Sequence, residues 1–139
     1  MLIGELILKK DDIKDRIHEL REFIFKLSNN SNKNNAEIYG QSLGILFDLL
    51  DQYQNYLVVI ENSNTLNNVT IGNNEVSVSN AVKIRDTLRC KIDALEDIIS
   101  GSDYFIDKLS LMNKKNKLKD ECSIIDNIIY TSDWSTLVE

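Results

Sequence analysis

The chain contains no proline. Across 139 residues this removes the side chain that most reliably breaks a helix, and only five glycines remain as easy stops. Its elements are therefore free to run long, and the spacing of its apolar residues shows that they do. Ile3, Leu6, Ile13, Ile17, Leu20, Ile24 and Leu27 alternate by steps of three and four, with Lys10 the one seam position out of character. The polar run SNNSNKNN, residues 28–35, closes this first helix because asparagine and serine side chains compete for backbone hydrogen bonds.

A second helix is expected from about Ala36 to Asn62. Tyr39, Leu43, Leu46, Leu50, Tyr53, Leu57 and Ile60 repeat the spacing, and Leu49, Val58 and Val59 widen the apolar stripe. A stripe that wide needs more than one neighbour, which places this helix centrally. The pattern then changes period. Val69, Ile71, Val76 and Val78 alternate with polar residues around Gly72-Asn73-Asn74, the signature of a short β-hairpin over 69–78. Ser77 or Ser79 can cap a third helix with a core of Ala81, Ile84, Leu88, Ile92, Leu95 and Ile99, stopped at Gly101. A fourth helical stretch carries Phe105, Leu109, Met112, Leu118, Cys122, Ile125, Ile128 and Ile129, with NKKNK (113–117) as a solvated turn or a break.

The expected fold class is all-α: long antiparallel helical hairpins forming a coiled-coil-like four-helix bundle with a short β-hairpin insertion. One domain spans 1–139, with helical pairs at 3–62 and 79–132. Seams of this length and regularity predict a homo-oligomer, with a dimer as the first expectation because two-fold closure is commonest.

Charge and motif content exclude several function classes. A net charge of −6 disfavours a nucleic-acid partner, since the chain repels phosphate backbones. The basic run KKNKLK, 114–119, admits contact with phosphate or anionic lipid as well as a solvated helix turn. The longest apolar run, YLVVI (56–60), falls far short of the ~18–20 residues a membrane span requires, so a membrane is not the expected setting. The apolar start carries Glu5 and lacks the charge order of a leader, and the expected location is cytoplasmic. Cys90 and Cys122 have neither redox nor zinc spacing and read as two buried, reduced thiols. His18, the single histidine, follows Asp15 by three residues but lies off the seam, and one histidine cannot complete a di-metal bundle site. No nucleophile elbow or phosphate loop occurs. The expectation is no catalytic residue, no metal and no cofactor.

Two features remain. Arg85-Asp86 stands one turn into the third helix, just after the hairpin. It reads either as a clamp, with Arg85 reaching back to the hairpin and Asp86 to a neighbouring helix, or as a small anion or ligand site built from Arg85 and the helix N-terminus. Trp134, the only tryptophan, is expected to dock the tail into a groove, of this copy or of the next.

The segments IENSNT (60–65), AVKIRDTL (81–88) and SDWSTL (132–137) resemble patterns of the form I-N-x-T-N, A-x-x-R-D-x-L and N-W-x-x-x-L. On these the chain resembles, over nearly its full length, a family of small bacterial helical proteins of unknown function, some called septicolysin. The resemblance implies a polar set of Asn62, Asn64, Arg85, Asp86 and Trp134. Glu61 and Asp133 stand where the pattern has asparagine, and the 65–77 loop is longer. The leading expectation is a non-enzymatic helical oligomer acting in interaction or scaffolding, with an unidentified protein partner. The family name implies the alternative of a membrane-active cytolysin inserting an amphipathic hairpin.

Overall fold

A computed structural model describes residues 1–29, 35–101 and 107–138. It is all-α with one small sheet: α1 (Ile3–Ser28), α2 (Asn35–Leu66), β1 (Asn68–Ile71), β2 (Asn74–Ser77), α3 (Val78–Gly101) and α4 (Lys108–Asp133). The chain forms two compact units, Met1–Asn62 with Leu137–Glu139, and Ser63–Thr136.

In the first unit α1 buries the expected row: Ile3, Leu6, Ile13, Ile17 and Ile24 are all buried. Its start is secured by the Glu5 side chain, which accepts a hydrogen bond from the Leu2 N–H at 2.9 Å, one half of a capping box. The terminal segment adds a contact the periodicity could not announce. Leu2 and Leu137 form an antiparallel bridge, and the Val138 N–H donates to the Met1 carbonyl at 2.9 Å.

α2 packs antiparallel to α1, with Ile24 near Tyr39 and Leu46 at one end and Leu6 near Tyr56 and Val59 at the other. The row it presents differs from the expected one. Leu43, Leu46, Leu49, Tyr53 and Tyr56 pack with Ile13, Ile17 and Ile24, and Ser42 is buried, whereas Leu50 and Leu57 are exposed. Two rows of heptad spacing lie side by side on this helix, and apolar content alone does not choose between them. The row through Ser42, Leu46, Leu49, Tyr53 and Tyr56 is the one α1 covers. The other half of the wide stripe faces solvent, so α2 is not enclosed on all sides as its composition suggested.

α2 also runs to Leu66, past the expected end at Asn62, and takes Asn64 into its last turn. Asn67 stops it. Its backbone N–H and its side-chain amide both donate to the Ser63 carbonyl, at 3.0 and 2.7 Å.

The second unit opens with the hairpin. Asn68 pairs with Ser77, Val69 with Val76, Thr70 with Glu75 and Ile71 with Asn74, leaving a two-residue loop of Gly72 and Asn73. Gly72 has φ of +61°, the conformation such a loop needs and one that a side chain resists. Val78, expected in the hairpin, is instead the fully buried first residue of α3, and Ser77 is the cap, its Oγ accepting from the Asn80 N–H at 3.1 Å. Val69, Ile71 and Val76 pack on the core of Ala81, Leu88, Ile92, Cys122, Ile125 and Ile129, so the hairpin leans on α3 and α4 of its own unit.

α3 and α4 each carry a basic residue where an apolar one was expected. On α3 the buried row passes Ala81, Arg85, Leu88 and Ile92, and Ile84 is exposed. On α4 it passes Leu111, Lys115, Leu118, Cys122, Ile125 and Ile129, while Leu109 and Met112 are exposed. The steps 3+4 and 4+3 cover the same seven residues, so either phase fits the apolar positions on both sides. NKKNK therefore continues the helix. Phe105 lies outside the described residues. Cys122 is buried as expected, but Cys90 is exposed.

The phase of these rows is checkable. Leu88→Ala should cost about 2–5 kcal/mol, the range for emptying a core site. Ile84→Ala should cost roughly 1 kcal/mol or less, as an outward position would. Urea unfolding of the two variants decides it, and equal losses would contradict the phase.

Candidate functional site

Helical phase brings Arg85 to the seam between α3 and α4, and this gathers the charged residues of that unit. Arg85 is only 22% exposed at its side chain, so its aliphatic stem packs while the guanidinium reaches outward. Its Nε donates to Asp86 Oδ1 at 3.1 Å and lies 3.7 Å from Asp126 Oδ1 on α4. Arg89, one turn on, donates through Nη2 to the same Asp126 oxygen at 3.0 Å and approaches Asp86 at 3.8 Å. The other oxygen of Asp126 is 3.9 Å from the buried Cys122 thiol. Two arginines and two aspartates thus form a closed network that ties α3 to α4. It is partly solvated, and each pair in it is worth about 0–1 kcal/mol.

A cleft of about 320 Å³ borders this network, lined by Arg85, Asp126, Asn127, Ile129, Tyr130 and Asp133. Asp133 is the last residue of α4, where the helix carbonyls already concentrate negative charge. Burial pushes its carboxyl above the ordinary value of 3.8, and attraction from Arg85 offsets part of that rise. Three carboxylates around the two guanidiniums of Arg85 and Arg89 leave little positive potential for an anion. The arrangement suits a cross-link between α3 and α4 better than the small anion site considered from sequence.

The remaining expected site residues fall as follows. Asp86 engages cations of its own helix, Arg85 and Arg89, rather than one on a neighbouring helix. Arg85 binds across to α4, and the hairpin is held by its apolar side chains instead. Trp134 follows α4 directly and meets the ring of Tyr130 at 6.2 Å between centroids with a 48° tilt, yet it remains exposed rather than sunk in a groove. Asn62 is exposed on α2 and belongs to the first unit, while Asn64 is half-buried in the second. Arg89, Asp126 and Tyr130 were missed from sequence. A signal did exist, since Arg89 lies four residues after Arg85 and their shared partner Asp126 is the one acid within the buried Cys122–Ile129 stretch.

His18 does not approach Asp15 in an ion pair. Its Nε2 lies 3.3 Å from Glu22 on the exposed side of α1. Among the described residues no group of three or more His, Cys, Asp or Glu side chains could hold a metal, and no helix is long and apolar enough to cross a membrane. A second cleft, of about 480 Å³, runs between the first strand and α4, lined by hydroxyls and amides including Asn68, Thr70, Asn127, Thr131 and Ser135.

Fold and site together define a helical protein with a hairpin insertion, cross-linked by an exposed charge network. No family model matches the chain and no curated protein matches it, so the septicolysin resemblance gains no support from either. A crystal structure of a functionally unknown conserved protein from Corynebacterium diphtheriae is similar across 100% of this chain and 99% of its own, with a TM-score of 0.81 and 18% identity. That likeness shows a shared fold.

The Asp133 carboxyl gives a pH test. Because its pKa is raised in the fold, the stability linked to its protonated form is complete below 3.8 and is lost as pH rises through the folded value. Asp133→Asn should therefore be at least as stable as the parent chain at neutral pH, and the two should converge below pH 3.8. Thermal melts across pH measure this. A variant less stable at neutral pH would contradict the burial account.

Proposed function

We propose that the chain is a non-enzymatic interaction protein, a helical scaffold that assembles with a second copy through the outer face of α2. The observation that carries this reading is the uncovered half of the α2 stripe. Phe47, Leu50, Leu57 and Val58 are 60%, 39%, 42% and 51% exposed on one flank of a single helix. Isolated exposed apolar residues are ordinary, but a cluster along about three turns of one helix marks a surface that another protein covers. Phe47, Leu50, Gln54 and Leu57 follow steps of three and four, the spacing into which a second helix fits its own side chains. Binding rather than catalysis is also supported by the polar groups. Arg85 is committed to aspartates, and His18 stands on the surface beside Glu22.

Light scattering at micromolar concentration should give twice the chain mass. Phe47→Gln with Leu57→Gln should weaken the dimer by about tenfold or more, as removal of interface anchors does, without lowering the unfolding midpoint. A strictly monomeric parent chain would overturn the reading. Release of dye from vesicles by the monomer would instead favour the membrane-active role that the resembled family's name implies.

A further inference from the structure

The hairpin uses only one edge of β1. The Val78 N–H donates to the Asn67 carbonyl at 2.9 Å, and bonded pairs in an antiparallel ladder alternate with unbonded ones. Val69 with Val76 and Ile71 with Asn74 are therefore the bonded pairs, while Asn68 and Thr70 turn their backbone N–H and carbonyl groups away from β2. Among the described residues no backbone partner takes up those groups. Open edges are commonly blunted by a charge or a proline, and β1 carries neither.

The surroundings of that edge are defined too. β1 packs against both α3 and α4, and β2 against α3, so α4 flanks the outer side of β1. The cleft of about 480 Å³ lies between them. Its α4 wall is Asn127, Ile128, Thr131 and Ser135, and no charged residue lines it. Ile124, one turn before Ile128 on the same flank, is 60% exposed.

A row of backbone donors and acceptors is matched by another backbone. A strand added there would send every second side chain toward α4, where it meets Ile128 among uncharged amides and hydroxyls. Apolar or small residues suit those positions, whereas a charged group would lose water and gain no partner. β1 of a second copy does not fit. Antiparallel pairing about a two-fold axis puts both copies' helices on one side of the sheet, and α4 would meet its own image beneath the joined edge.

We infer that the edge of β1 beside α4 receives an extended segment of a different protein, added as a third strand, with apolar or small uncharged residues at alternate positions. The contact uses only the second unit and is independent of self-association through α2.

The test uses the capped peptide acetyl-Lys-Val-Thr-Val-Lys-amide, whose valines share one face and whose lysines suit a chain of net charge −6. Titrated to millimolar concentration into nitrogen-15-labelled protein, it should move the amide protons of Asn68 and Thr70 downfield, to saturation, as they enter hydrogen bonds. Thr70→Pro removes the outward N–H and none from the ladder, so the hairpin stays while the dissociation constant rises about tenfold or more. Thr131→Arg, at an exposed position on the α4 wall, should raise it as well, and aspartates in place of both peptide valines should abolish binding. A peptide that leaves both amides unmoved, or a constant that either variant leaves unchanged, overturns the inference. Protection of the two amides on concentrating the protein alone also overturns it, since that would mark a second copy's strand. A chain that fails to dimerise through α2 leaves this test standing.

Discussion

Each helix of this chain buries a single row of side chains spaced by alternating threes and fours, and the choice of row sets what every other residue does. On α1 the row is unambiguous, because the apolar residues off it are few. On α2 two adjacent rows compete, and the one containing Ser42, Leu46, Leu49, Tyr53 and Tyr56 meets α1. The row that loses, through Phe47, Leu50 and Leu57, is left to solvent. An exposed apolar row follows from the packing itself, with no separate motif to encode it.

Three of the four rows tolerate one basic residue at a heptad position. Lys10, Arg85 and Lys115 are 23%, 22% and 19% exposed at their side chains, and each places its charged head against an acid: Asp11, Asp86 with Asp126, and Glu96. A long stem can fill a boundary position while its charge stays in water. Such pairs add little stability when solvated. Their geometry does fix which helix faces which, since Arg85 and Arg89 meet α4 only at Asp126, and Lys115 and Lys119 meet α3 only at Glu96 among the described ion pairs.

The helices, the hairpin and the serine cap were legible in the sequence because each has a local cause. Ile3 to Ile24 can only be one helix face, and Gly72-Asn73 between alternating valines is a turn by its own chemistry. The phase of α2 was not legible, nor were single positions on α3 and α4, although Ala81, Leu88, Ile92, Leu118, Cys122, Ile125 and Ile129 fall in the core as expected. Ile84 or Arg85, Met112 or Lys115, Leu50 or Leu49 satisfy the spacing equally, and hydrophobicity favours the wrong member of the first two pairs. Tertiary packing decides by fitting a flexible cation where a branched side chain would otherwise stand. Of the site residues, Arg85 and Asp86 were found together because they are adjacent, whereas Asp126 and Arg89 entered only once α3 and α4 were aligned. Asp133 gains its raised pKa from burial at a helix end, which no spacing reveals.

The central claim is that α2 has one row for its own chain and one for another. Methyl NMR with a soluble paramagnetic agent, repeated from low to high protein concentration, examines both rows at once. The methyls of Leu46 and Leu49 should stay protected throughout, while those of Leu50, Leu57 and Val58 lose their solvent-induced relaxation as the protein is concentrated. Outer-row methyls that relax equally at every concentration would contradict the account.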